Sequence, residues 1–401
     1  MTHVLFVLDY FPPQKGWVEQ LFGDVSQYLS ESGRQVSVLT SHTDPRLHTI
    51  DKYQDVTVYR VGSSRASFMW KSLWFALTHK SLIARVDHIH TSTYAAALSA
   101  KVIARVARKD ITITIHELYG SLRKHLKWSK ALRYRLYEWL ILKLSRDSIV
   151  TPSQASADMI RKLYPRQAAR QTLTVIPNQL KVQDWSRDSI THQEQKQLAS
   201  TYDIHPHDKL LLFVGRLGRD KWLPYVIEAY ADLAREFPDS KLVIIAPRTT
   251  YAARKSLKKD ILRTQAHISS NFLDRQVLWI DPVSQAELKA WMSISHRGLV
   301  PSISEWFGYT ALEMQTLWLP VIASRIWALE EILHPEGVVF VPYGIVKDRQ
   351  ETLRQALEQN PPSRDIRPSP FVYEEIDYSD YQAIMTSKTN NPPPLEQKKS
   401  P

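Results

Sequence analysis

The chain has 401 residues, more than one compact domain holds and comfortable for two of about 150 to 200. Its 43% hydrophobic content excludes wholesale disorder, and the absence of cysteine excludes disulfides, thiolate metal sites and cysteine nucleophiles. The net charge of +11 lies in the first half, where residues 1–200 carry 28 Lys and Arg against 16 Asp and Glu; an anionic partner is expected there.

Residues 1–9 open with a five-residue apolar run and no basic leader, which reads as a buried strand and not as a signal peptide. No window approaches 18 uninterrupted apolar residues, so no membrane span is expected and the cytoplasm is the expected compartment. Strands are predicted over 4–8, 36–40, 56–61, 88–91, 111–115, 148–151 and 173–176, with an amphipathic helix over 18–30 that ends near Gly33. Pro177 and Asn178 close this half. After a polar connector, 183–197, strands follow over 210–214, 241–246, 277–280, 298–300 and 320–323, with a helix over 225–237. Continuously apolar strands alternating with helices imply parallel sheets covered on both faces. The expectation is two doubly wound Rossmann-like α/β domains, 1–185 and 186–365, facing a central cleft. A C-terminal segment, 366–401, follows, with a disordered tail from about 386.

Two loops carry the chemistry. In Val300-Pro-Ser-Ile-Ser-Glu305-Trp-Phe-Gly308-Tyr-Thr-Ala-Leu-Glu313, a strand ends, a loop runs and a helix begins near Gly308. The backbone N–H groups of Gly308, Tyr309 and Thr310 are then the donors of a helix start, a site suited to a diphosphate. Glu305 and Glu313 flank it as carboxylate acceptors for hydroxyl groups. In Val214-Gly-Arg216-Leu-Gly-Arg-Asp-Lys221, two cations five residues apart follow another strand and can neutralise phosphate.

These loops resemble those of a retaining family 4 glycosyltransferase with the GT-B fold. The opening Tyr10-Phe-Pro-Pro with Gly16-x-Val-Glu19, the segment Ile113-Thr-Ile-His116-Glu117 and Val175-Ile-Pro-Asn178 match in the same order, so the resemblance covers about 1–345. It implies a hexosyltransferase type of enzyme, metal-independent and without a cofactor, taking a UDP- or GDP-sugar as donor. Arg216 and Lys221 would neutralise the leaving diphosphate, Glu313 would serve the ribose and Glu305 the transferred sugar. Phe307, Gly308, Tyr309 and Thr310 would supply backbone donors, Gly16 would approach the phosphates, and His116 would contact the donor sugar near the reaction centre. The acceptor implied is a glycan or a lipid-linked precursor, as in polysaccharide biosynthesis.

Residues 122–146 hold eight cations and one carboxylate, with Trp128, Tyr134, Tyr137 and Trp139 interleaved. They read either as a helix lying on anionic lipid, making the protein peripheral on the inner face of a membrane, or as an ordinary helix with a solvated basic face. Nothing else in the chain looks like a groove-reading module, so no nucleic acid is expected. Ser153 reads as a helix cap, and His205 and His207 as part of a turn.

Five departures from the family are of one kind. Tryptophan stands at 17, 222, 306, 318 and 327, where the family has glycine, in a chain of 11 glycines and 12 tryptophans. Average usage gives roughly 28 glycines in this length. A UGA codon that means glycine in the source and was translated as tryptophan accounts for all five at once. UGG codons at those positions would rule it out. Taken as genuine, Trp17 and Trp306 instead point to a non-catalytic binding or scaffold subunit with a blocked donor cleft. Gln179, Asp281 and Pro247-Arg248 also depart from the family pattern and are not explained by that codon.

Overall fold

The computed structural model describes residues 2–14, 16–93, 95–116, 118, 128–143, 148–248, 255–342, 346–358 and 369–386. Its elements run β1 (His3–Leu8), α1 (Trp17–Glu31), β2 (Gln35–Thr40), β3 (Ile50–Tyr53), β4 (Val56–Arg60), α2 (Arg65–Thr78), α3 (Lys80–Arg85), β5 (His88–Ser92), α4 (Ala95–Ala107), β6 (Asp110–Thr114), α5 (Trp128–Lys143), β7 (Ser148–Thr151), α6 (Gln154–Leu163), α7 (Pro165–Ala168) and β8 (Thr172–Val175). They continue β9 (Leu180–Lys181), α8 (His192–Thr201), β10 (Lys209–Val214), α9 (Leu223–Glu236), β11 (Ser240–Ile245), α10 (Lys255–Ser270), β12 (Val277–Ile280), α11 (Gln285–Ile294), β13 (Arg297–Val300), α12 (Tyr309–Thr316), β14 (Val321–Ser324), α13 (Trp327–Ile332), β15 (Val338–Val341), α14 (Val346–Glu358), β16 (Val372–Tyr373) and α15 (Ser379–Thr386).

Two compact units result: residues 1–177 with 377–401, and residues 178–376. The division falls at 177/178, where the sequence reading placed it at 185/186. The first sheet has the order β3-β4-β2-β1-β5-β6-β7-β8, parallel throughout except for the edge hairpin of β3 on β4. The second has the order β12-β11-β10-β13-β14-β15 and is parallel throughout. Counted from the first strand of each unit, the second sheet has the 3-2-1-4-5-6 order of a doubly wound fold, and the first, leaving out β3, has the same order extended by β8 at its far edge. Strands such as Val4–Leu8 and Leu210–Phe213 are buried along their whole length, as a sheet covered on both faces requires.

Three features differ from the sequence reading. β3 is a short edge strand whose residues are exposed or half-buried, so it lacks an apolar signal. β9 and β16 pair as a two-stranded ladder between segments 192 residues apart, which local pattern does not reveal. The C-terminal segment is not all appended tail: α15 buries Tyr381, Ile384 and Met385 in the core of the first unit with Val4, Phe6 and Phe22. The tail predicted from about 386 lies outside the described residues from 387 onward, as do 122–127 and 144–146 of the basic stretch and Glu117. The rest of that stretch is α5.

Candidate functional site

In the second unit, β10 and β13 are neighbours with Phe213 opposite Leu299, and the strand order reverses between them. In doubly wound sheets this switch point is where ligands bind, beyond the carboxyl ends of the strands. The two predicted loops, 215–222 and 301–308, leave these two strands. The Ile303 N–H donates to the Asp220 carbonyl at 2.8 Å, which fastens one loop to the other.

The charged residues meet there. The Lys221 ammonium donates to Glu305 Oε1, and the Ser302 hydroxyl donates to the same oxygen at 2.7 Å. Both partners of the ion pair are mostly buried, so their attraction is screened far less than that of a surface pair. Arg216 is exposed, with Nη2 at 3.6 Å from Asp220 Oδ2. The sequence reading gave Lys221 and Glu305 separate tasks and did not foresee their pairing. Ser302 is a further member of the site; a serine three residues before a carboxylate in a tight loop is the sequence signal for it.

α12 starts from Gly308, whose φ of 98° lies in the left-handed region. A Cβ there would meet Leu329 Cδ2 at 2.5 Å, so both the backbone angle and the packing demand glycine. The Ala311 and Leu312 amides donate to the Gly308 carbonyl, which sets where the helical ladder begins and leaves the amides of 309 and 310 in its first turn. Phe307 is buried, edge-to-face with Phe371 at 5.7 Å and tilted against Tyr309 at 4.9 Å, and so anchors the loop to the core. Glu313, one turn into α12, is fully buried. Desolvation pushes its carboxyl up to about 8, and Oε1 has no hydrogen-bond partner among the described residues. Burial thus favours the protonated carboxyl, which can donate as well as accept, over the purely accepting carboxylate of the sequence expectation.

The first unit holds the other two predicted residues. Gly16 caps the N-terminus of α1 with an extended φ of 173°, which any residue adopts; a Cβ there would crowd only the flexible Glu19 side chain. His116 lies just beyond β6 with its ring edge-to-face against Phe22 of α1 at 5.6 Å. Burial lowers it to about 4, so the imidazole is neutral at physiological pH, and Nε2 has no partner among the described residues. An additional polar group, Asp9, follows β1 at this unit's own switch point. Its Oδ1 accepts the Ala96 N–H at 3.0 Å, and Arg65 Nε lies 3.8 Å from Oδ2.

The five tryptophans fall into two groups. Trp222 and Trp318 have φ of 52° and 60°, in the left-handed region that glycine favours. Trp17 and Trp327 open α1 and α13, and Trp306 is buried; none of these three has a positive φ. Backbone geometry alone thus calls for glycine at two of the five. Arg108, Asp203 and Phe272 also occupy left-handed positions, so the chain tolerates side chains there elsewhere.

Comparison with known proteins places these features in a family. Residues 18–182 match the family described as Glycosyltransferase Family 4, and residues 195–369 match glycosyl transferases group 1. The chain is 23% identical over 379 residues to the alpha-monoglucosyldiacylglycerol synthase of Streptococcus pneumoniae, covering 92% of this chain and 81% of that protein. Among solved structures it resembles the sucrose-phosphate synthase of Thermosynechococcus elongatus, with TM-score 0.75, 17% identity and coverage of 89% and 90%. It also resembles the Anabaena HepE protein solved with UDP-glucose, with TM-score 0.68, 15% identity and the same coverage.

Proposed function

Because the chain belongs to the group 1, family 4 glycosyltransferases and has their GT-B fold, we propose that it is a retaining, metal-independent hexosyltransferase. The donor is a UDP- or GDP-sugar held by the second unit. The acceptor is a glycan or lipid-linked precursor met by the first unit at a membrane surface on the cytoplasmic side. The observation that carries the reading is the convergence of Lys221, Glu305, the Gly308 helix start and the unsatisfied Glu313 on one strand-order reversal.

In this reading the helix start and Arg216 take the diphosphate, and Lys221 exchanges Glu305 for a phosphate oxygen. The freed Glu305 then accepts a hydrogen bond from a sugar hydroxyl. The neutral Glu313 carboxyl both donates to and accepts from the ribose hydroxyls. As the bond from the anomeric carbon to phosphate oxygen breaks, the acceptor oxygen bonds to that carbon from the same face. The acceptor proton passes to the departing phosphate oxygen, which keeps the bonding electrons. The cations stabilise the charge that develops on the diphosphate, which is the largest single contribution in such transfers. His116, with an unpartnered Nε2, is the first unit's candidate group for a sugar hydroxyl.

The test is slow donor hydrolysis across a panel of UDP- and GDP-sugars, with thermal shift by UDP and GDP. It should be run on the chain as given and with glycine at 17, 222, 306, 318 and 327. Hydrolysis of one donor that Glu305→Ala abolishes is expected. No shift with either nucleotide in both forms would favour the scaffold reading.

A further inference from the structure

Three helices of the first unit share a property that donor chemistry does not use. α2 buries Phe68, Ser72 and Phe75 but leaves Trp70, Trp74 and Leu77 exposed, the two indoles by 68% and 67%; spacings of four and three put them on one stripe. α4 packs along α2 and exposes Val102 and Val106, four apart. α5, joined to α4 where the Lys101 ammonium donates to the Ile141 carbonyl, exposes Trp128, Leu132 and Leu136. Between α2, α3 and α4 runs an apolar groove of 620 Å³ lined by Leu73, Leu77, Ile83 and Val106, with Lys80 and Lys109 also on its walls.

The charge on this face is one-sided. α2, α3, α4 and α5 together contain ten Lys and Arg and one carboxylate, Glu138. That carboxylate is buried and accepts the Tyr164 hydroxyl at 2.5 Å, so it neutralises nothing outside. Apolar stripes carrying three exposed indoles, on helices whose cations far outnumber their carboxylates, call for a partner that is both apolar and anionic. A second copy of the chain would set like charge against like, at a cost in repulsion. An anionic bilayer offers both properties at once, with indole rings at headgroup level and cations over lipid phosphates.

We propose that the exposed stripes of α2, α4 and α5 form a docking face for an anionic lipid bilayer, with Trp70, Trp74 and Val106 entering the headgroup layer. The proposal deepens the membrane-acceptor reading and rests on it for its purpose, and it widens the 122–146 expectation from one helix to three.

The absence of native cysteine makes the test direct. The full chain carrying Val106→Cys is labelled with an environment-sensitive fluorophore, and a second carries the label at Leu262→Cys, exposed on α10 of the other unit. With vesicles of equal phosphatidylglycerol and phosphatidylcholine, the label at 106 should shift to the blue and the one at 262 should not. Vesicles of phosphatidylcholine alone should shift neither. Trp70→Ser with Trp74→Ser should weaken vesicle flotation roughly tenfold, the loss of two partitioned rings. Lys80→Glu with Lys109→Glu should weaken it through charge alone. An unchanged label at 106, equal flotation of the Trp70→Ser, Trp74→Ser chain, or a blue shift that grows with protein concentration without vesicles would overturn the proposal, the last by showing self-association. Donor hydrolysis measured in parallel separates this failure from a failure of the transferase reading, since residues 70, 74, 80, 106 and 109 belong to the first unit and the donor loops to the second.

Discussion

The two ends of α12 set the same backbone requirement, and the chain meets it in two ways. At the N-terminus Gly308 takes a left-handed φ with no room for a Cβ. At the C-terminus Trp318 takes a left-handed φ of 60°, its amide donates to the Gln315 carbonyl at 2.9 Å, and the Leu319 amide donates to the Met314 carbonyl at 2.9 Å. That pair of bonds is a Schellman closure, whose left-handed position is usually glycine. α1 closes in the same way, with Arg34 donating to Leu29 and Gly33 donating to Ser30, and there the position is glycine. The comparison separates a glycine required by packing and by the site from one preferred only by the backbone. At the first end substitution is expected to damage the enzyme; at the second, substitution toward glycine is expected to help.

The largest effect should come from the charge that faces the N-terminal end. Lys221→Ala removes the cation proposed for the diphosphate and leaves Glu305 buried with only Ser302. Donor hydrolysis should fall by about 10² to 10³, the usual loss when one preorganised electrostatic contact is removed from a transition state. A fall of less than fivefold would mean that the pair is structural only. Next comes Gly308→Ala, which adds a methyl at 2.5 Å from Leu329 and a side chain at φ of 98°. Strain and overpacking together should cost about 3 kcal/mol in denaturant unfolding of the chain. The paired variant Leu329→Ala should recover part of it by opening the space, while the backbone strain remains.

The middle of the same helix carries a pH signature. Glu313 is raised from 4.5 to about 8 by desolvation, so the folded chain keeps a proton that the unfolded chain releases. Stability is therefore greatest below about 4.5 as far as this group is concerned, and is lost as pH rises through about 8, by up to about 1.4 kcal/mol per pH unit inside that window. Glu313→Gln should flatten this part of the profile. Melting temperatures at pH 5 and pH 8 decide it: an equal drop in both proteins would place the pH dependence elsewhere.

What the sequence disclosed follows from locality. The strand ends, the loop of 301–308 and the start of α12 were legible because Gly308, Glu305 and the apolar run before them lie within a dozen residues. The Lys221–Glu305 pair joins residues 84 apart and depends on β10 lying beside β13, which no local pattern encodes. The protonated state of Glu313 depends on how tightly α12 packs, and a carboxylate one turn into a helix looks the same in sequence whether it is buried or bathed in water. α15 was hidden for a related reason. Its three buried residues, Tyr381, Ile384 and Met385, stand among polar ones, and their burial comes from a core built by residues distant in sequence, from Val4 to Ile176.

The smallest effect, and the one that decides between the two ends of α12, is Trp318→Gly. The left-handed backbone penalises a side chain by about 1 kcal/mol. Against that, the indole is 42% exposed and stands 5.7 Å from the Arg187 guanidinium, a contact of about 0.5 kcal/mol at such a site. The balance favours glycine by about 0.5 kcal/mol, so denaturant unfolding should show a slight gain. Trp306→Gly is the contrasting control, because Trp306 is buried and has no positive φ. Removing a buried indole without relief of strain should destabilise the chain by about 3 kcal/mol if tryptophan is the residue around which the core formed. If position 306 belongs to glycine, as a UGA codon there would establish, the loss should be much smaller, because the loop then closes on backbone alone. A loss above 1 kcal/mol for Trp318→Gly would show instead that its indole contacts outweigh the backbone preference, and that this end of α12 is built for tryptophan.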